Sequence, residues 1–217
     1  GVLTMGGLVE TQLSRAIALL EGDESGSLAA QVSADEQVIN QMQVDMDLAC
    51  SQIIAKRQPT AIDLRMVLTV TKIVNDLERV GDETKKVAKK ATQEAQNSRL
   101  AQVRCFDAAS AAGRAKEMLQ LALDGFDRLD VNAAAEVIDM DDEIDAAFSA
   151  IMRQLISYMM EDPRTITPAL EIVFMAKSIE RIGDHAKNIA EAVVQVVQGI
   201  DVRHAPAEQI RAEVAEP

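Results

Sequence analysis

One eleven-residue motif occurs twice in this chain, and its repetition constrains the fold more than any other feature. Residues 78–88 read E-R-V-G-D-E-T-K-K-V-A, and residues 180–190 read E-R-I-G-D-H-A-K-N-I-A. The offset is 102 positions (180 − 78) in a chain of 217 residues. A constant offset close to half the length indicates an internal repeat. We therefore predict two homologous halves, residues 1–96 and residues 97–217, the second ending in an acidic tail.

Composition favours a chain built almost entirely from helices. The sequence is 48% hydrophobic but only 2% aromatic, and it contains 5 prolines and no tryptophan. Apolar periodicity indicates six helical segments, three in each half, joined by short connections. We expect Asn132 to cap the fifth helix and Thr167, just before Pro168, to cap the sixth. Short connections place consecutive helices antiparallel to each other. The expected fold class is therefore all-α, with two tandem antiparallel three-helix bundles.

The third and the sixth predicted helices contain the motif, and each carries an apolar stripe. Successive stripe residues are three or four positions apart, which is typical of a helix that packs along one seam. We predict that both stripes are buried. They consist of Ile73, Leu77, Val80, Thr84, Val87 and Ala91 in the first half, and of Ile172, Met175, Ile179, Ile182, Ala186, Ile189 and Val193 in the second.

Charge and cysteine content exclude several classes of protein. The net charge is −13, which disfavours binding to nucleic acid phosphates and suits metal cations or basic partner surfaces. No apolar run approaches the roughly 18 residues of a transmembrane helix, and the first seven residues do not resemble a signal peptide. Cys50 and Cys105 lie in helical stretches, and we expect them to be small core residues in a reducing compartment.

Each motif places two carboxylates one helical turn apart. On a helical wheel, Glu78 and Asp82 fall on the face opposite the apolar stripe, and Glu180 and Asp184 do the same. Two such carboxylates can share a hard cation, which prefers oxygen ligands. We predict these four residues as metal ligands, one site per half, for Mg, Mn, Ca or Fe rather than Zn. The alternative is a solvated acidic face relieved by nearby lysines, namely Lys85, Lys86, Lys89 and Lys187.

Two further features surround these carboxylates. Gly81 and Gly183 lie inside the helices between the acids, where glycine costs about 1 kcal/mol relative to alanine. Each glycine therefore indicates close approach by a neighbouring helix, a partner or a ligand. More acids on the second and fifth helices are candidates to complete a metal shell. They are Asp35, Glu36, Asp45, Asp47, Asp139, Asp141, Asp142, Glu143 and Asp145.

The sequence contains no recognisable catalytic machinery. His185 and His204 are the only histidines, and no E-x-x-H pattern of a di-iron oxidase occurs. No zinc site of the usual spacing and no phosphate-binding glycine loop is present. We therefore predict a protein that is not an enzyme. Two alternatives remain open, a metal-dependent carboxylate-cluster enzyme and a helical scaffold without a ligand.

The motif also resembles a known family. The pattern E-R-φ-G-D, where φ is Val or Ile, in the third and sixth of six helices is similar to the PhoU family of phosphate transport accessory proteins. Segments 4–10, 57–65 and 158–166 resemble other parts of that family, so the resemblance spans nearly the whole chain. Among the differences between the two copies, two change the charge of a residue. Ser178 stands opposite Asp76, and His185 stands opposite Glu83.

The resemblance implies a regulator. PhoU proteins are cytoplasmic and repress the phosphate-starvation response, and they link the ATPase subunit of a phosphate ABC transporter to a sensor histidine kinase. Their E/D-x-x-x-D motifs bind metal ions, and that pattern falls here on Glu78 with Asp82 and on Glu180 with Asp184. The expected partners are therefore this ATPase and this kinase, with membrane contact only through them. Two similar halves also favour a homodimer.

Overall fold

The computed structural model describes residues 1–23, 26–94, 99–200 and 202, with side chains described outside residues 93–106. The predicted boundary after residue 96, the Cys105 side chain, His204 and the tail from Arg203 lie outside this description. The described residues form six α-helices, which confirms the all-α class. In chain order these are α1 (Val2–Leu20), α2 (Leu28–Arg57), α3 (Ala61–Glu94), α4 (Arg99–Arg128), α5 (Val131–Glu161) and α6 (Ile166–Gln198), with a short 3-10 helix at Pro163–Thr165.

The two motif helices, α3 and α6, pack against each other at the centre of the molecule. They run antiparallel, because Lys72 near the start of α3 donates to Gln195 near the end of α6 at 2.7 Å. At the opposite end, Lys90 of α3 pairs with Glu171 of α6. Both predicted apolar stripes are buried, as expected. Helices α1 and α2 complete the first bundle around α3, and α4 and α5 complete the second around α6, with one continuous apolar core.

Two predicted helix starts differ from those in the structure. We expected Asn132 to cap α5, but the Asp130 carboxylate accepts from the backbone N–H groups of Asn132 and Ala133 instead. A carboxylate at this position satisfies two amides that have no partner inside the helix. We also expected Thr167 to cap α6, but the helix begins two residues earlier, at Ile166 after Thr165. Pro168 is still compatible with the helix, because its first-turn nitrogen needs no partner.

Two expectations about environment concern Cys50 and membrane-spanning helices. Cys50 is buried and its thiol is unpaired, as expected of a small core residue. Within the part of the chain that the structure describes, no helix has the length and apolar character needed to cross a membrane.

Candidate functional site

The motif carboxylates lie on a partly covered face of each helix, which corrects their predicted position on the outer face. The side chains of Glu78 and Glu180 are only 16% and 12% exposed, and Asp82 and Asp184 are half-buried. The single apolar stripe suggested one buried face, but α3 and α6 each bury a second one. Val74, Gly81 and Ala88, at seven-residue spacing, form that second face on α3. The motif acids flank it.

The two glycines allow the second helix of each bundle to approach closely. A Cβ atom at Gly81 would lie 3.3 Å from the Cδ1 atom of Ile39 on α2. A Cβ atom at Gly183 would lie 3.5 Å from the side chain of Ile144 on α5. Of the three predicted reasons for glycine here, the structure shows close approach by a neighbouring helix. The approach carries acids of α2 and α5 towards the motif.

In the first half, α2 contributes Glu36 to the carboxylates of α3. Its side chain is 8% exposed and accepts a hydrogen bond from the motif residue Lys85. Asn40, one turn further along α2, donates to Glu36 at 3.4 Å. Burial, and then the nearby charge of Asp82, raise the pKa of Glu78 above its usual value. The first cluster therefore comprises Glu36, Asn40, Glu78, Asp82 and Lys85.

In the second half, α5 contributes two acids, Asp141 and Asp145, to the carboxylates of α6. Asp141 is buried, and its Oδ2 atom accepts from the Nζ atom of Lys187 at 2.5 Å. The Nζ atom of Lys177 donates to the Oε1 atom of Glu180 at 2.5 Å. The second cluster therefore has four carboxylates and two lysines.

Electrostatics in the second cluster disfavour its full negative charge. Burial raises the pKa of Asp184, and the charges of Glu180 and Asp141 raise it further. Burial, followed by Asp141 and Glu180, also raises the pKa of Asp145. Burial is the largest single influence on the pKa of Lys187 and lowers it, but the hydrogen bond to Asp141 and the charges of Asp141, Glu191 and Asp184 together outweigh burial, so that the pKa of Lys187 is raised. The acids are therefore held close enough to repel one another, and the lysines only partly offset this.

The residues of the two clusters occupy corresponding positions in the two repeats, except at two positions where the first half has an asparagine. Glu36 matches Asp141 and Lys85 matches Lys187, because each lysine of the motif pairs with an acid on the neighbouring helix. Asn40 stands where the second half has Asp145. A second asparagine, Asn75, stands where the second half has Lys177. The first half therefore lacks one acid and one base of the second.

The donor atoms of both clusters suit a hard cation, but the lysines occupy some of them. The Oε2 atom of Glu180 is buried and has no hydrogen-bond partner, which leaves an acceptor for a cation. Carboxylate oxygens are the ligands that Mg, Mn, Ca and Fe accept. As the side chains are placed, however, the described residues contain no group of three or more His, Cys, Asp or Glu arranged to hold a metal. The residue types fit a metal, whereas the present side-chain placement favours the lysines.

The structure also selects among the acids that the sequence offered on α2 and α5. Glu36, Asp141 and Asp145 face the motif, whereas Asp35 pairs with Arg15 of α1. Asp145 is exposed, like Asp45, Asp142 and Glu143, but unlike them it interacts electrostatically with Asp141 and Glu180 of the cluster. Lys177 was not predicted as part of the site, although its position three residues before Glu180 places both side chains on one helix face.

A separate set of polar contacts joins the two motif helices to each other. His185 on α6 contacts Asp76 on α3 at 2.9 Å, and Asn188 donates to the same carboxylate. Glu83 on α3 is 3% exposed and pairs with Arg181 of α6 at 2.9 Å and with Lys86. Asp76, Glu83 and His185 in these contacts belong to the pairs 76/178 and 83/185, in which the two repeats carry different residues. The contacts between α3 and α6 therefore use residues that the two repeats do not share.

Comparison with known proteins agrees with this architecture. The PhoU domain model matches residues 2–91 and 109–193, one match in each half. The phosphate-specific transport system accessory protein PhoU homolog of Pseudomonas aeruginosa is 43% identical, over 98% of this chain and 87% of that protein. The phosphate-specific transport system accessory protein PhoU of Escherichia coli is 41% identical, over 96% of this chain and 86% of that protein.

Solved structures give the same result. The crystal structure of PhoU from Pseudomonas aeruginosa matches with a TM-score of 0.85 at 43% identity, covering 92% of this chain and 94% of that one. The phosphate transport system regulatory protein PhoU from Streptococcus pneumoniae matches with a TM-score of 0.81 at 26% identity, covering 93% of both chains. With both halves matched in sequence and in fold, this chain belongs to the PhoU family.

Proposed function

We propose that this protein is an accessory protein of a phosphate transport system that represses phosphate-starvation signalling when phosphate is plentiful. The observation that carries the proposal is the match of both halves to the PhoU domain, together with relatives named as accessory proteins over nearly the whole chain. It acts as an adaptor in the cytoplasm, between the ATPase subunit of the transporter and the sensor histidine kinase. An adaptor of this kind has no catalytic activity of its own.

The regulatory proposal is tested by deleting the gene and following a phosphate-starvation reporter. Loss of the adaptor should switch the reporter on in high phosphate, because the signal that restrains the kinase is lost. Restoring the wild-type gene should silence it again. A reporter that stays silent in the deletion strain would refute the regulatory proposal.

The acidic surface also supports the proposed partners. With a net charge of −13, the protein should associate with basic surfaces of the ATPase or the kinase, and added salt should weaken that association. Pull-down from a membrane extract at low and high salt tests this. Analytical ultracentrifugation tests the proposed homodimer in the same preparation. Recovery of neither partner at low salt would contradict the adaptor proposal.

We also propose that each cluster binds a metal ion through oxygen ligands, with Mg, Mn, Ca or Fe as candidates. Glu78 and Asp82 would hold it in the first half, and Glu180 and Asp184 in the second. The neighbouring acids of α2 and α5 would complete the shell, namely Glu36, Asp141 and Asp145. The buried, unpartnered oxygen of Glu180 and the mutual repulsion of the acids support the proposal, since a cation would relieve both.

The metal proposal is tested by titrating Mn²⁺ into the protein and into Asp82→Ala/Asp184→Ala. The double variant should lose binding, because each site loses a ligand, while its helical content measured by circular dichroism stays unchanged. The matched control is Asp45→Ala/Asp142→Ala, which removes the same charge from exposed positions and should bind like the wild type. Equal binding by both double variants would refute the assignment. No binding by the wild type would favour a ligand-free scaffold.

A further inference from the structure

Two lysines of α6 pair with two carboxylates of the second cluster that are largely shielded from solvent. The Nζ atom of Lys187 lies 2.5 Å from the Oδ2 atom of Asp141, whose side chain is 10% exposed. The Nζ atom of Lys177 lies 2.5 Å from the Oε1 atom of Glu180, whose side chain is 12% exposed. Both ammonium groups thus occupy oxygen atoms that a metal ion would use.

These ion pairs bear directly on cation binding. A divalent cation entering the cluster would meet two positive charges within a few ångströms, where the dielectric is lower than in water. It must either repel them or replace them at Asp141 and Glu180. The ammonium groups of the lysines can turn to solvent without becoming buried, unpaired charges, because the two side chains are already 33% and 50% exposed. The carboxylates cannot, since they are fixed on packed helices.

We propose that Lys177 and Lys187 are built-in competitors of the metal ion at the second cluster, and that divalent cation binding releases their ammonium groups from Glu180 and Asp141. This proposal rests on the proposed metal binding and assigns its regulation to residues of the chain. The lysines keep the acids paired when the cation is scarce. They also set the concentration at which the cation replaces them.

The first half differs in a way that fits this role. Asn75 stands in place of Lys177 and hydrogen-bonds with Gln43 at 2.7 Å. Among the described residues of the first cluster, Lys85 pairs with Glu36, and the cation beside Glu78 is Arg79, at 3.6 Å, instead of a lysine. The first cluster therefore has one competing lysine and the second has two. Their responses to cation concentration should differ accordingly.

The test isolates the second cluster and removes one lysine at a time. All proteins carry Glu78→Gln/Asp82→Asn, which disables the first cluster, and Mn²⁺ binding is measured by calorimetry and by the electron paramagnetic resonance signal of free Mn²⁺. Lys177→Met and Lys187→Met keep the aliphatic stem but remove the charge. Each should tighten Mn²⁺ binding by about tenfold, because one nearby positive charge is lost.

Two controls separate competition from a general charge effect. Lys89→Met removes the same charge from an exposed residue of α3 and should change the affinity less than twofold. Lys187→Arg keeps the positive charge and should bind Mn²⁺ about as weakly as the parent protein. Circular dichroism confirms that each variant is folded, and thermal unfolding gives a second measurement. In chelator the methionine variants should unfold at lower temperature, and Mn²⁺ should raise their melting temperature more than that of the parent.

The outcomes distinguish this proposal from the metal proposal itself. Tighter Mn²⁺ binding by either methionine variant than by the parent supports competition. Mn²⁺ binding by a methionine variant when the parent does not bind supports it as well. Unchanged or weaker binding by both methionine variants, in a parent that does bind Mn²⁺, overturns the competition and leaves the metal site standing. If neither the parent nor the methionine variants bind Mn²⁺, the competition and the proposed metal site of the second cluster both fail.

Discussion

Asp184 carries its negative charge where both burial and its neighbours oppose that charge. Burial is the larger cause of its raised pKa, and the charges of Glu180 and Asp141 add to it. Asp145 and Glu78 show the same combination of burial and like charge. Groups that are unfavourable for stability but kept together often serve a function. A neutral residue of the same shape at such a position should therefore make the protein more stable and less able to bind a cation.

Asp184→Asn should stabilise the protein by roughly 0.5–2 kcal/mol at pH 7 in the presence of chelator. Because the folded-state pKa of Asp184 is raised, the folded state binds more protons, and the aspartate lowers stability as pH rises through the raised pKa. The difference between variant and wild type should therefore shrink below that pKa, where Asp184 is protonated. Urea denaturation at several pH values measures it, with exposed Asp142→Asn as the control. A variant less stable than wild type at pH 7 would contradict this reasoning.

At the scale of the helices, α3 and α6 owe their central position to two buried faces each. One is the apolar stripe predicted from spacing, and the other consists of small residues at seven-residue intervals. On α6 this second face contains Ala169, Ala176, Gly183 and Ala190. Small side chains let α5 pack close to α6, and this proximity brings Asp141 beside Lys187. The glycine inside each motif thus serves helix packing and, through it, the assembly of the cluster.

Alanine at the two motif glycines should have different effects. At Gly183, the added Cβ atom makes ordinary contacts of 3.5–3.7 Å with Ile144, so Gly183→Ala should stabilise by roughly 0.5–1 kcal/mol through helix propensity. At Gly81, the contacts with Ile39 and Gln12 are tighter, at 3.3 Å, and should offset part of that gain. Leucine at either position should destabilise by roughly 1–3 kcal/mol through overpacking. Thermal unfolding measures all four variants, and equal gains for both alanines would disprove the distinction.

At the scale of the whole molecule, the two bundles are joined along α3 and α6 by an apolar core and by polar contacts. The two polar contacts are made by different pairs of residues. His185 of α6 contacts Asp76 of α3, and Arg181 of α6 contacts Glu83 of α3. A dimer of identical bundles would have the same pair twice. The polar contacts between the two halves are therefore not repeated by the internal symmetry of the chain.

Residues 1–96 expressed alone should not form a stable monomer. The surface of α3 that packs on α6 would be exposed, and apolar surface of this kind promotes association. We expect aggregation or self-association and no cooperative unfolding transition as a monomer. Co-expression with residues 97–217 should restore a one-to-one complex, measured by sedimentation and circular dichroism. Two fragments that each unfold cooperatively as monomers would show that the halves are independent domains.

The sequence by itself determined the helices, their pairing into two repeats and the residues of the apolar stripes. These follow from periodicity and from the repeated motif, both of which are local properties of the chain. It also identified Glu78, Asp82, Glu180 and Asp184 as related positions, because their spacing places each pair on one face of a helix. The starts of α5 and α6 were predicted less accurately, at Asn132 and Thr167, since several polar residues near a helix start can supply the cap.

Only the tertiary structure decided which side chains from other helices reach these acids. Nine acids on α2 and α5 were equal candidates by sequence, and packing at Gly81 and Gly183 brought Glu36, Asp141 and Asp145 to the motif. The tertiary structure also showed that the motif acids lie on a half-buried face instead of the predicted outer face, and that Lys187 hydrogen-bonds with Asp141. Spacing along one helix fixes directions around its axis. Distances between helices depend instead on how all six pack together.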